Sequence, residues 1–167
     1  PDADLRVAPG NPGTARIAGN VPLADGDLDG LVEYAGAESV DLTVVGPEAP
    51  LAAGLVDRLE ARGLAAFGPS ADAARIEASK AFANRLMVEN GVPTADFEVF
   101  TDADHALRHV RERGAPVVVK ASGLAGGKGA LVCETVEEAE DAVRGLMVES
   151  RFGEAGDRVV LEEGVEG

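Results

Sequence analysis

The chain has 167 residues, 46% of them apolar, and 30 acidic side chains against 15 basic ones give a formal net charge of −15. That length and apolar content build one ordinary domain or two small ones and exclude a disordered chain. The acidic balance excludes a general affinity for nucleic acid or for an anionic membrane surface, since no basic face is available to neutralise phosphates.

In chain order, Leu5 to Ala8 reads as a short strand running into the tight loop Pro9-Gly10-Asn11-Pro12-Gly13-Thr14. Asp27 opens a helix to about Ala37. The mostly apolar run Val40 to Val45 is expected to be a buried parallel strand, broken by Gly46-Pro47-Glu48-Ala49-Pro50. One helix follows, with Leu51, Leu55 and Leu59 on a stripe at four-residue spacing, and Gly63 ends it. Ala65 to Phe67 is the next strand, so strand, helix, strand forms a βαβ unit of an open parallel sheet. Ser70 caps a short helix, Ala71 to Glu77. Ser79 caps the next, Lys80 to Asn90, which is expected to bury Phe82 and Leu86 before Gly91 stops it.

A domain boundary is expected near residue 77, giving an α/β domain over 1–76 and a second region over 77–167, of which about 93–167 forms a small lobe. That lobe opens with strand Ala95 to Val99. Thr101 then caps a helix to Arg113 with Ala103, Leu107 and Val110 inward. Strand Val117 to Lys120, the Gly-rich loop Ser122 to Gly129 and strand Ala130 to Cys133 come next. Thr135 and Glu138 form a capping box for a helix that sends Val136, Ala139, Val143 and Leu146 to the core. Arg158 to Glu162 is the last strand, and the order reads as an antiparallel sheet with helices on one face. Cys133, the single cysteine, is expected to be a small core residue, in keeping with a reducing cytoplasm. No apolar run approaches the roughly 18 residues of a membrane span, and no signal peptide is visible.

Only three residues are lysines: Lys80, Lys120 and Lys128. A carboxylate-rich, lysine-poor surface stays hydrated in concentrated salt, which screens its self-repulsion, so a halophilic protein is expected. The melting temperature should then rise between dilute buffer and molar salt; an unchanged value would remove the idea. The lysines themselves sit where a polyphosphate could be held. Lys120 ends a rigid strand of three valines and can reach phosphate oxygens as a point charge. Gly123, Gly126, Gly127 and Gly129 let backbone N–H groups approach an anion closely, and Lys128 adds a cation at the tip of the loop. This is not a Walker A loop, because Gly129 rather than Ser or Thr follows the lysine and a strand comes next. Glu162 and Glu163 are either an ordinary charged strand end or, beside a nucleotide, acceptors for an adenine amino group.

The run Val119 to Gly129 resembles the glycine-rich flap of the ATP-grasp enzymes. More narrowly, Val44 to Leu51, Phe67 to Ser70, Ala78 to Phe82 and Ala8 to Ala15 resemble the phosphoribosylamine–glycine ligase family over nearly the whole chain. The resemblance implies a partial Rossmann-like (pre-ATP-grasp) parallel sheet followed by the small α+β lid lobe of an ATP-grasp domain. It implies a monomeric cytoplasmic enzyme of purine biosynthesis that joins glycine to 5-phosphoribosylamine with ATP, through a glycyl phosphate. Lys80 and Lys120 would hold the α- and β-phosphates. Gly123, Gly126, Gly127, Lys128 and Gly129 would close over them, and Glu162, Glu163 and Val165 would form the adenine hinge, the latter two mainly through backbone. Gly10, Asn11, Gly46, Pro47 and Glu48 would meet the phosphoribosylamine or glycine. The alternatives are another ATP-grasp carboxylate–amine ligase or, for this chain alone, a non-catalytic nucleotide-binding piece.

The chain opens at Pro1 and stops just past an apolar strand, so a piece of a longer protein is expected. The family's first strand and its sugar-phosphate loop would lie before Pro1. The second ATP-grasp lobe, with the ligands for Mg²⁺ (or Mn²⁺), would lie after Gly167. Ser122 stands where many members carry Asp, and Gly164 where many carry a large apolar residue.

Overall fold

The computed structural model describes residues 3–165; positions 1, 2, 166 and 167, the outer ends of the two expected domains, lie outside the described residues. The chain divides into two compact units that meet between Ala74 and Arg75. Among the described residues no helix is long and apolar enough to cross a membrane.

The first unit is built from short parallel strand pairs and helices. β1 (Arg6–Val7) pairs in parallel with β2 (Gly19–Asn20), and β3 (Thr43–Val44) with β4 (Ala66–Phe67). β2 was not expected, since Gly and Asn have little strand preference. Backbone bonds from Gly19 N to Leu5 O (2.8 Å) and Val21 N to Val7 O (2.9 Å) hold it in place. The β3–β4 pair with its intervening helices is the expected βαβ unit, but the strand expected over Val40 to Val45 is only Thr43–Val44 and is not buried, Leu42 and Val44 being exposed, and the described strands form two separate two-stranded sheets rather than one.

Asp27 caps α1 (Leu28–Ala37), its carboxylate accepting from Gly30 N at 3.1 Å. The single helix expected after Pro50 is instead two, α2 (Glu48–Ala52) and α3 (Leu55–Ala61). Gly54 between them has φ +85°, a left-handed conformation that ends one helix and re-aims the next. The leucine stripe survives the break: Leu51, Leu55 and Leu59 are all buried with Val32, Ala35, Val45 and Val56.

α4 (Ala71–Ala78) carries the boundary between the units, and Ser70 Oγ accepts from Ala73 N at 3.3 Å at its start. The second unit begins in earnest with α5 (Lys80–Glu89), capped by Ser79, whose Oγ accepts from Phe82 N. This helix departs from expectation in what it buries. Ala81 and Asn84 are its buried residues, while Phe82 and Leu86 are only half-buried. β5 is Phe97–Phe100 and α6 is Ala103–Arg113. Asp102, not Thr101, caps α6, accepting from His105 N at 2.8 Å. A carboxylate at that position also faces the positive end of the helix dipole. Ala106 takes the fully buried place expected of Ala103, beside Leu107 and Val110.

β6 (Val117–Ala121) and β7 (Ala130–Cys133) form the hairpin that carries the Gly-rich loop. Thr135 caps α7 (Val136–Val143), accepting from Glu138 N, but Glu138 reaches back to the N–H of Glu134 rather than to that of the cap. A wider helical turn, Arg144–Val148, and a 3-10 turn, Gly153–Gly156, lead to β8 (Val159–Glu163). The sheet order is β5-β8-β6-β7, antiparallel throughout, so the last strand lies between the first two. Val117, Val119, Ala121, Val159, Leu161 and Cys133 point from the sheet into one core with Leu107, Val110, Val143 and Leu146 of the helical layer. Burial raises the pKa of the Cys133 thiol, as expected of an inert core cysteine.

Candidate functional site

β6 alternates strictly, Val117, Val119 and Ala121 inward and Val118 and Lys120 on the other face. Lys120 therefore stands on the sheet face away from α6 and α7. Directly across on β8, the register pairs Val118 with Glu162 and Lys120 with Val160. Glu162 shares that face, its carboxylate is almost wholly buried, and its Oε2 accepts from the Lys120 ammonium. Its other oxygen, Oε1, accepts from Asn84 Nδ2 at 2.9 Å. Asn84 lies one helical turn after Lys80 on α5, so both point to the same side of that helix.

The start of α5 is tied to the base of the Gly-rich loop. Lys80 N donates to Ser122 O at 2.9 Å and Ala81 N to Ser122 Oγ at 3.3 Å; the Ser79 and Ser122 hydroxyls lie 3.4 Å apart. The Lys80 ammonium donates to Gly123 O at 3.2 Å. Ser122, only 4% exposed, is thus the anchor that fixes Lys80 beside the loop. Burial lowers the pKa of Lys80 and the nearby Lys120 charge lowers it further, with Glu77 and Glu162 opposing. Two ammonium groups from separate elements are thus held as neighbours, Lys120 bonded to the Glu162 carboxylate and Lys80 to the Gly123 carbonyl.

The loop between β6 and β7 depends on its glycines in two ways. Gly126 and Gly127 have φ +56° and +76°, which side chains with a Cβ rarely adopt. Gly123 is needed for a different reason, since a Cβ there would lie 2.7 Å from Ala155 Cα. Lys128 is exposed at the tip of the loop, and its N–H donates to Ala125 O at 3.0 Å. Of the three lysines, Lys80 and Lys120 are therefore brought together, and Lys128 stands on the hairpin rooted beside them. At the strand end, Glu163 N is already bound to Asp96 O at 2.9 Å, and Val165 is 72% exposed.

In the first unit Gly10 and Asn11 lie in the loop after β1 and Gly46 and Pro47 in the loop after β3, while Glu48, expected in that loop, is the first residue of α2. Gly10 has φ +73°, and a Cβ on it would lie 2.3 Å from the Asn20 side chain. Asn11 is an organiser of its own loop, its Oδ1 accepting from Gly13 N (2.7 Å) and Thr14 N (3.1 Å). Gly46, Pro47 and Glu48 are exposed, Pro47 also lining an apolar cavity of about 170 Å³ with Ala8, Tyr34 and Leu59.

Asn84 and the anchoring role of Ser122 are what sequence reasoning missed. The available signal for Asn84 was its i+4 spacing from Lys80 on a helix whose other polar residues are long and charged.

A pH dependence follows from Lys80. Burial and the nearby Lys120 charge make the Lys80 ammonium easier to deprotonate, so it loses its charge at a lower pH than an unburied lysine would. Binding of a nucleotide triphosphate should weaken on the alkaline side, starting below the ordinary lysine pKa. Lys80→Arg, which stays charged, should move that limb upward; a profile identical in the variant would place the titrating group elsewhere.

Comparison with known proteins places these features in one family. Residues 2–77 match the phosphoribosylglycinamide synthetase N domain, and residues 78–167 match the phosphoribosylglycinamide synthetase ATP-grasp (A) domain. The chain is 54% identical over 167 residues to phosphoribosylamine–glycine ligase of Xanthomonas campestris pv. campestris, covering 99% of this chain and 39% of the relative. It is 48% identical over 163 residues to the Escherichia coli K12 enzyme of the same name, covering 96% of this chain and 38% of that one. The crystal structure of phosphoribosylamine–glycine ligase from Thermotoga maritima superposes with a TM-score of 0.76 at 30% identity, over 98% of this chain and 38% of that one. The chain thus spans about two fifths of the length of the curated relatives it matches. With both of its units matched along their lengths, the chain belongs to the phosphoribosylglycinamide synthetase family of ATP-grasp proteins.

Proposed function

We propose that the full-length protein ligates glycine to 5-phosphoribosylamine with ATP, giving glycinamide ribonucleotide, ADP and phosphate in de novo purine synthesis. The observation that carries this reading is the pair of neighbouring ammonium groups, Lys80 and Lys120, at the base of a glycine loop in a chain of this family. In this reading a glycine carboxylate oxygen attacks the γ-phosphorus and ADP leaves. The amine of phosphoribosylamine then attacks the acyl carbon of the glycyl phosphate, and inorganic phosphate departs with that oxygen. Lys80 and Lys120 neutralise the phosphate oxygens, and the loop carrying Gly123, Gly126, Gly127, Lys128 and Gly129 excludes water from the acyl phosphate. Glu162, Glu163 and Val165 border the adenine. Because Glu163 N is bound to Asp96 O, its backbone N–H is not available to the base. Gly10, Asn11, Gly46, Pro47 and Glu48 are assigned to the glycine and sugar side.

Among the described residues no group of three or more His, Cys, Asp and Glu side chains could hold a metal ion. The Mg²⁺ or Mn²⁺ that accompanies ATP is assigned, by resemblance to the family, to ligands of the second ATP-grasp lobe, and would help neutralise the phosphate charge there. We further read the full-length protein as a monomeric, salt-adapted cytoplasmic enzyme, and the 167-residue chain alone as inactive.

The test is isotopic. With glycine labelled with ¹⁸O in its carboxylate, the full-length protein should release phosphate carrying one labelled oxygen, dependent on ATP and phosphoribosylamine. Unlabelled phosphate, or ADP formation indifferent to glycine, would exclude this ligase reading.

A further inference from the structure

Glu162 holds a nearly buried carboxylate between two donors from different elements, the Lys120 ammonium on β6 and the Asn84 amide on α5. The two donors are not equivalent. Lys120 is a flexible point charge, 26% exposed at its side chain, able to swing toward an incoming anion. Asn84 is 6% exposed and fixed in the middle of a helix. If Lys120 turned to a polyphosphate with no second donor present, it would leave an uncompensated buried charge behind it, which is strongly unfavourable. With Asn84 in place, the carboxylate keeps a hydrogen bond after the lysine departs.

We propose that Asn84 is a positioning residue of the phosphate clamp: by retaining the Glu162 carboxylate, it frees Lys120 to transfer from that carboxylate to the nucleotide. The proposal rests on the reading of Lys120 as a phosphate ligand. It makes the Glu162–Lys120 pair a resting contact that the nucleotide exchanges for its own phosphates, and Asn84 the group that lowers the cost of the exchange. The Asn84 amide touches neither the base nor the phosphates in this arrangement; it acts only through Glu162.

The test uses the full-length protein. Asn84→Leu removes the donor at similar volume, and Asn84→Asp keeps the shape while replacing the donor with a second negative charge that tightens the resting hold on Lys120. Both should raise the KM for ATP about tenfold, with kcat and the KM for glycine changing less than twofold. Asn84→Gln, which keeps an amide donor, should recover part of the loss. Should Leu prevent folding, the isosteric Asp variant carries the test. A lowered melting temperature with an unchanged KM for ATP in the folded variants would overturn the proposal and leave Asn84 a packing residue. Lys120→Ala is measured in parallel: if it too leaves the KM for ATP unchanged, it is the phosphate-clamp reading that has failed.

Discussion

Lys120→Ala in the full-length protein is expected to lower kcat/KM for ATP by about a hundredfold or more, the effect of deleting one preorganised charge from a phosphoryl-transfer site. Lys120 is set by a strand whose neighbouring residues on either side are buried, so the sheet fixes the face on which its side chain stands. The same substitution strips Glu162 of its counter-ion and should lower the stability of the second unit, because a buried carboxylate is left with Asn84 alone. The two losses can be separated. Lys120→Met combined with Glu162→Gln removes both charges and should restore much of the thermal stability while leaving turnover low. Recovery of turnover in the double variant would show that Lys120 serves the fold and not the phosphates.

Leu146→Ala should have the largest effect on stability, about 3 kcal/mol. The side chain is 1% exposed in the core beneath β6, packed with Val119, Val143 and Val110. The cavity left behind cannot collapse easily. The chain at Gly156 presses on the backbone of Leu146, where even a Cβ on residue 156 would lie 2.4 Å from Leu146 O. For a unit of this size the loss corresponds to a fall of about 15 °C in its melting temperature. A change of under ~3 °C would mean that the helical turn Arg144–Val148 readily repacks.

Much of this was legible in the residues because the signals are local. The alternation of Val117 to Lys120, the caps at Asp27, Ser79 and Thr135 and the glycines of the loop each depend on neighbours within four residues. The break at Gly54 was hidden because the leucine stripe on its two sides keeps the same spacing through the interruption. At α6 the cap lies one position beyond the expected Thr101, at Asp102, because the hydrogen bond to His105 N is made by the carboxylate. The site was legible as a list of cations but not as an arrangement. Nothing in Asn84 or Ser122 reveals that one meets a carboxylate 78 positions away and the other grips the helix that carries Lys80. Such partners are long-range, and periodicity carries no information about them.

The placement of β8 between β5 and β6 has a consequence for synthesis on the ribosome. A nascent chain that has not yet delivered residues 159–163 holds β5 and the β6–β7 hairpin with no strand to join them, each presenting open hydrogen-bonding groups to other polypeptides. β5 and the β6–β7 hairpin can be joined only once residues 159–163 have emerged, so the interval before then leaves both open to aggregation and to capture by a chaperone.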